Sequence, residues 1–197
     1  LAAGYKIAEI HGAHGYLLHS FLSPLSNHRT DEYGGDLQGR MRLALEITQA
    51  VRDVWPDTLP LFFRTSAVDG APEGWSLDDT VALARALRQI GVDVMDCSSS
   101  GIAGAATAGN TQKRQPGFQV EYAARVRMDA EMATMAVGLI THPKQAEEIL
   151  NQGRADLIAI GREALVNPMW ALHAARDLGF DTTFDTWPKQ SGWWLAS

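Results

Sequence analysis

Short apolar runs alternate along this chain with longer segments of helical period. The runs at 6–10, 61–65, 93–97, 134–137 and 157–160 are brief and largely apolar, as expected of parallel strands covered on both faces. The intervening segments follow a different spacing. Residues 37–54 place Leu37, Met41, Leu45 and Thr48 along one side, with Asp36 as a candidate N-cap. Residues 77–90 repeat the arrangement after Ser76 and stop at Gly91. Segments 119–131, 143–152 and 168–178 predict three more helices. Thr141 or His142 would cap the second of these, and Pro143 occupies a favoured first position. The alternation predicts an α/β fold of parallel βαβ units. Strands following one another through right-handed crossovers build either an open sheet or a section of a (β/α)8 barrel.

Composition narrows the class without altering that picture. An apolar share of 46% and a charged share of 20% are those of an ordinary globular chain. The length of 197 residues suits one domain or a large part of one, and it is short of the about 250 residues of a complete barrel. A net charge of -6 with scattered basic residues leaves no footprint for nucleic acid. No apolar run reaches the length of a membrane span, and the first residues, Leu1-Ala2-Ala3-Gly4, show neither a basic leader nor a cleavage pattern. Cys97 is the single cysteine, so no internal disulfide forms and a reducing compartment, the cytoplasm, is expected. No linker, charge run or low-complexity tract divides residues 1–197, and one domain is expected across them.

Candidate chemistry gathers at the predicted strand ends. His11, His14 and Tyr16 follow the first apolar run, spaced by glycines. Such proton-handling groups are costly to bury without partners, and they are what an enzyme uses to grip and protonate a substrate. Arg64 ends the second run, where a guanidinium needs an anion: a ligand at the active-site end of a barrel, or Asp69 or Asp96 from within. The last two strands end in Gly138 and in Gly161-Arg162. Glycine lets backbone N–H groups approach a phosphate, and barrel phosphate sites commonly lie after the seventh and eighth strands. Ser98-Ser99-Ser100-Gly101 reads either as a cofactor-lining loop or as a plain flexible one, and Cys97 as an inert buried thiol. The stretch 23–35 reads as a long ordered active-site loop, with His28, Arg29, Asp31 and Glu32 expected in a structural salt-bridge web. His11, His14 and His19 also admit a metal-site reading as three nitrogen ligands, although the HExxH arrangement is absent.

The run HGAHGYL, followed by FLSPLSNHRTDEYGG, resembles the signature of the old yellow enzyme family of FMN-dependent ene reductases, in particular its bacterial NADPH dehydrogenase and xenobiotic reductase branch. The resemblance extends over nearly the whole chain. It implies a (β/α)8 TIM barrel, represented here by the fourth to eighth βα units, as the C-terminal part of one FMN-binding domain. By that resemblance His11 and His14 donate hydrogen bonds to the carbonyl or nitro oxygen of an activated alkene, and Tyr16 is the proton donor. Arg64 would reach the N1/C2-carbonyl edge of the flavin, while Gly138, Gly161 and Arg162 would hold the FMN phosphate. NAD(P)H is implied as a transient reductant, consistent with the absence of a GxGxxG fingerprint. Trp193, in a tail similar to the family's, would contact substrate in a neighbouring subunit; alternatively Trp193 and Trp194 cap the barrel exterior. The implied partners are a small-molecule substrate and either a second copy or an N-terminal barrel segment, with no nucleic acid, membrane or metal. Two rival readings stand beside this one: a metal-dependent hydrolase using His11, His14 and His19, and a non-catalytic truncated remnant.

Overall fold

The computed structural model describes residues 1–102 and 114–197. Five parallel strands form one sheet: β1 (Ala8–Gly12), β2 (Leu61–Ser66), β3 (Val94–Ser98), β4 (Ala133–Ala136) and β5 (Leu157–Ile158). Their spatial order is their chain order. A doubly wound sheet would reverse direction at a switch point, whereas a barrel wall adds each strand beside the last. The molecule is therefore a run of five βα units in barrel order. All five predicted strands are present. β1 lies two residues later than expected, bringing His11 into the strand, and β5 contracts to two residues.

Side-chain alternation separates the sheet into two unlike faces. Leu61, Phe63, Met95, Cys97 and Ala136 are 0% exposed. They pack in one cluster with Leu83, Leu87 and Val126, which come from α3 (Leu77–Ile90) and α4 (Val120–Ala130). The opposite face is the inner one of a barrel. There the register sets His11 beside Arg64 and Arg64 beside Asp96, so three polar groups share one level.

The remaining helices are α1 (Leu17–Leu22), α2 (Leu37–Arg52), α5 (Pro143–Asn151), α6 (Arg162–Val166), α7 (Trp170–Asp177) and α8 (Lys189–Leu195). The five helices expected from periodicity are α2, α3, α4, α5 and α7. Asp36 caps α2 by accepting from Gly39 N–H at 2.9 Å. Ser76 and Asp79 form a reciprocal capping box on α3, and Gly91 closes that helix at φ +100°. His142 occupies the N-cap of α5 without a side-chain cap bond. Trp75, 1% exposed, donates from Nε1 to Thr80 Oγ1 at 2.6 Å, and Thr80 Oγ1 donates to Ala67 O at 2.8 Å. That chain of bonds ties α3 to the segment leaving β2. Among the described residues no helix is long and apolar enough to cross a membrane.

Candidate active site

The strand ends of the inner face build the site. β1 runs straight into Ala13, His14 and Gly15, and the chain turns sharply there. His14 has φ +59° and Gly15 φ +81°, both left-handed and costly for a residue with a Cβ. His14 N–H donates to Ser66 Oγ at 3.0 Å, and Ser66 Oγ donates to Ser100 O at 2.6 Å. The His14 ring meets Ser98 Oγ through Nε2 at 2.8 Å. His11 lies 5.2 Å from the His14 ring and 5.5 Å from the Tyr16 ring, centroid to centroid. The three residues singled out by the sequence therefore form one cluster. Tyr16 is 65% exposed, so its hydroxyl is open to an incoming molecule.

Burial and nearby charge favour the neutral forms of His11 and His14. Burial lowers the His14 pKa to about 4, helped by the Arg64 guanidinium and by His11 and His19. Burial also lowers His11, with Arg64 and His19 adding to the effect. A neutral imidazole still offers one N–H to an oxygen. Arg64 Nε lies 3.1 Å from Asp96 Oδ2. Of the two internal partners open to Arg64, Asp96 is the one engaged, because Asp69 binds elsewhere. Burial pushes Asp96 up to about 6, against Arg64 and with a small contribution from Glu9. Burial raises Glu9 as well, again opposed by Arg64.

A cleft of about 620 Å³ opens beside this cluster, walled by His14, Arg64, Ser98, Gly138, Gly161 and Arg162 among others. Gly138 sits at φ +121°, and a Cβ there would lie 3.0 Å from Gln119 Oε1 and 3.1 Å from the Phe118 ring. A side chain there would be both strained and crowded. Gly161 differs: a Cβ would meet nothing within 4 Å, so protein packing does not require glycine and the space faces the cleft. Arg162 begins α6 and is exposed. Among the described residues it has no ion-pair partner, which leaves its charge available to a ligand.

Several expectations change. The metal-site reading fails because His19 is 0% exposed and both its nitrogens are engaged, Nδ1 by Gly15 N–H at 2.9 Å and Nε2 by Asp69 at 2.9 Å. Among the described residues no group of three His, Cys, Asp or Glu is placed to hold a metal. The salt-bridge web of the 23–35 loop reduces to the Arg29–Asp31 pair. That loop is ordered instead by Asn27, whose Nδ2 donates to Phe21 O at 2.6 Å and Tyr33 O at 2.7 Å. Trp193 lies on α8, 65% exposed and 4.6 Å from the Trp194 ring, outside the wall of its own chain's cleft. Cys97 keeps its expected place: it is fully buried, and burial pushes its thiol well above the usual range. Sequence reasoning missed Ser66 and gave other roles to Ser98, a loop residue, to His19, a candidate ligand, and to Asp69, a candidate partner of Arg64. The serines share the parity of Arg64 and Asp96 on their strands, a signal that was available; the His19–Asp69 pairing had none.

The chain is similar over most of its length to known proteins. The family described as NADH:flavin oxidoreductase / NADH oxidase matches residues 1–180. An NADPH dehydrogenase of Geobacillus sp. (strain WCH70) is 51% identical over 177 residues, covering 90% of this chain and 50% of the relative. One of Bacillus subtilis (strain 168) is 49% identical over 176 residues, covering 89% of this chain and 50% of the relative. The chain thus spans about half the length of the curated relatives it matches. Among solved structures, a 2-naphthoyl-CoA reductase complex superposes with a TM-score of 0.76 at 26% identity, over 85% of this chain and 26% of the other.

Proposed function

The chain belongs to the NADH:flavin oxidoreductase / NADH oxidase family, the old yellow enzyme group that its histidine signature resembles, and on that premise we propose that it forms part of an FMN-dependent, NAD(P)H-consuming ene reductase. The observation that carries this reading is the neutral His11–His14 pair with the open Tyr16 hydroxyl beside a glycine-lined, arginine-bearing cleft. FMN fits the residues present. Gly138 and Gly161 leave backbone and free space where a phosphate needs close approach, and Arg162 brings a charge with no described partner. Arg64 lines the same cleft and would hold the flavin's pyrimidine edge.

Bound FMN would supply hydride exchange between the nicotinamide and an α,β-unsaturated carbonyl or nitro compound. The chain's own residues supply binding and proton handling. His11 and His14 donate N–H groups to the substrate oxygen, where negative charge grows as the β-carbon accepts hydride. Tyr16 delivers a proton to the neighbouring carbon. Ser98 holds the His14 ring in place through its 2.8 Å contact. The residues form one barrel domain with a further segment or a second copy of the chain. A cytoplasmic setting accords with the buried, unpaired Cys97.

The test is a separation of half-reactions in a complete, FMN-loaded assembly, this chain joined by the remaining half of the relatives' length. His14→Ala should slow reoxidation by cyclohex-2-enone by about 100-fold, the scale of one lost oxyanion donor, and leave reduction by NADPH within about twofold. Equal slowing of both half-reactions would remove His14 from the substrate oxygen. A protein that binds no FMN and turns over no enone would be the non-catalytic remnant.

A further inference from the structure

The chemistry proposed above employs His11, His14 and Tyr16 and leaves the buried pair beneath their loop without a role. His19 is 0% exposed and Asp69 4%, with Nε2 of the histidine 2.9 Å from Oδ1 of the carboxylate. A buried ionisable pair is weak evidence for stability, since apolar residues of like volume often serve as well. The bonds around this one point towards the site. Gly15 N–H donates to His19 Nδ1 at 2.9 Å, and Gly15 stands between His14 and Tyr16. Because Nδ1 accepts, the ring proton sits on Nε2 and is donated to Asp69. The second carboxylate oxygen, Oδ2, accepts from Ser23 Oγ at 2.5 Å and from Trp75 N–H at 2.7 Å. Asp69 is thereby fixed from two other elements, the end of α1 and the turn before α3.

The segment held by this chain of bonds does not hold itself. His14 and Gly15 are consecutive left-handed residues at φ +59° and +81°, a conformation sustained only where surroundings over-determine it. A Cβ on Gly15 would come 2.5 Å from Gly101 O, so the turn is seated tightly against the loop after β3. His14 N–H and Gly15 N–H are successive donors, one to Ser66 and the other to His19. Releasing the second would free the peptide that aims both the His14 ring and Tyr16.

We propose that Asp69 and His19 are positioning residues for the reaction: the Asp69–His19–Gly15 relay locks the left-handed turn that sets His14 and Tyr16 at the substrate. The inference rests on the ene-reductase reading. Neither residue touches the substrate. Asp69 selects the histidine tautomer, and His19 pins the Gly15 peptide. A displacement of about 1 Å in such a turn costs about 100-fold in rate.

The experiment combines variants of the complete, FMN-loaded assembly (this chain with the remaining half of the relatives' length) with two measurements that need no turnover. His19→Leu removes both bonds, whereas the Oδ1 of His19→Asn can take the place of Nδ1 as acceptor for Gly15. His19→Leu should slow reoxidation by cyclohex-2-enone at least tenfold, with NADPH reduction and FMN affinity within about twofold, and His19→Asn should recover most of the loss. In the parent, nitrogen NMR should show His19 as the Nε2–H tautomer, and Gly15 N–H should exchange slowly with solvent. Exchange should quicken in His19→Leu and slow again in His19→Asn. A parent His19 in the Nδ1–H form, rapid Gly15 exchange in the parent, or equal slowing of both half-reactions without recovery by asparagine would each overturn the proposal. If the parent fails to reduce enones, the ene-reductase reading falls on its own, and the tautomer and exchange results still decide whether the relay pins the turn.

Discussion

His14, just beyond β1, and Asp96, on β3, both feel the Arg64 charge, and burial drives their pKa values in opposite senses. His14 is lowered to about 4 against an unfolded value of about 6.5. Between those values the unfolded chain binds more protons, so the histidine's contribution is intact above about pH 6.5 and is lost as pH falls towards 4. Asp96 is raised to about 6 against about 3.9 unfolded. In that window the folded state binds more protons, so its contribution is present at low pH and is lost as pH rises through about 6. The two effects oppose each other between about pH 4 and 6. Asp96→Asn removes one of them and should steepen the fall in Tm with acid over that interval. Thermal melts of parent and variant from pH 4 to 7 check this, and parallel curves would show that Asp96 does not titrate there.

Among the elements, α3 is the one whose sequence signals and observed bonds agree most fully. Ser76 Oγ accepts from Asp79 N–H at 3.2 Å while Asp79 Oδ2 accepts from Ser76 N–H at 2.9 Å. Leu83, Ala84 and Leu87 line its 0%-exposed side. The N-cap of the helix follows directly on Trp75, whose backbone N–H binds Asp69, so its start is coupled to the carboxylate that holds His19. Ser76→Ala should cost about 1 kcal/mol of stability, read as a lowered denaturant midpoint at constant slope. A loss below about 0.3 kcal/mol would mean that the cap is replaced by water. At the other extreme stands β5, where only Leu157 and Ile158 pair with β4. A two-residue ladder has little to hold it without a neighbour on its far side.

For the molecule as a whole, the open strands dominate. Among the described residues β1 pairs only with β2, and β5 only with β4. Ile7 and Leu157, at or beside those edges, are 51% and 41% exposed. Unpaired edges beside apolar side chains recruit other chains, and five strands of the described fold do not close a barrel of eight. Among the described strand residues the inner face also holds two carboxylates, Glu9 and Asp96, for one guanidinium, Arg64, and burial raises the pKa of both carboxyls. A neighbouring segment bringing a cation to Glu9 would complete that layer. Expressed alone, the 197 residues should run as oligomers in gel filtration with light scattering and hold FMN weakly. Co-expression with the remaining half of the relatives' length should yield a monodisperse yellow protein. A monomer of the 197 residues that keeps FMN through gel filtration would refute this.

The sequence by itself determined the order and kind of the main elements, because apolar period and capping are local properties. Asp36, Ser76 and Gly91 act where their side chains and backbone freedom dictate. It also determined the clustering of His11, His14 and Tyr16, since they fall within six residues of one another and come together as neighbours in sequence. The short helices α1, α6 and α8 escaped it: at five to seven residues they are too brief for a period to show, and contacts decide them. Tertiary structure alone chose Asp96 over Asp69 as the partner of Arg64 and turned His19 from a candidate ligand into a buried support. Those choices span 32 and 50 residues. Strand register and the desolvation of each group set them, and neither is written in any local stretch of the chain.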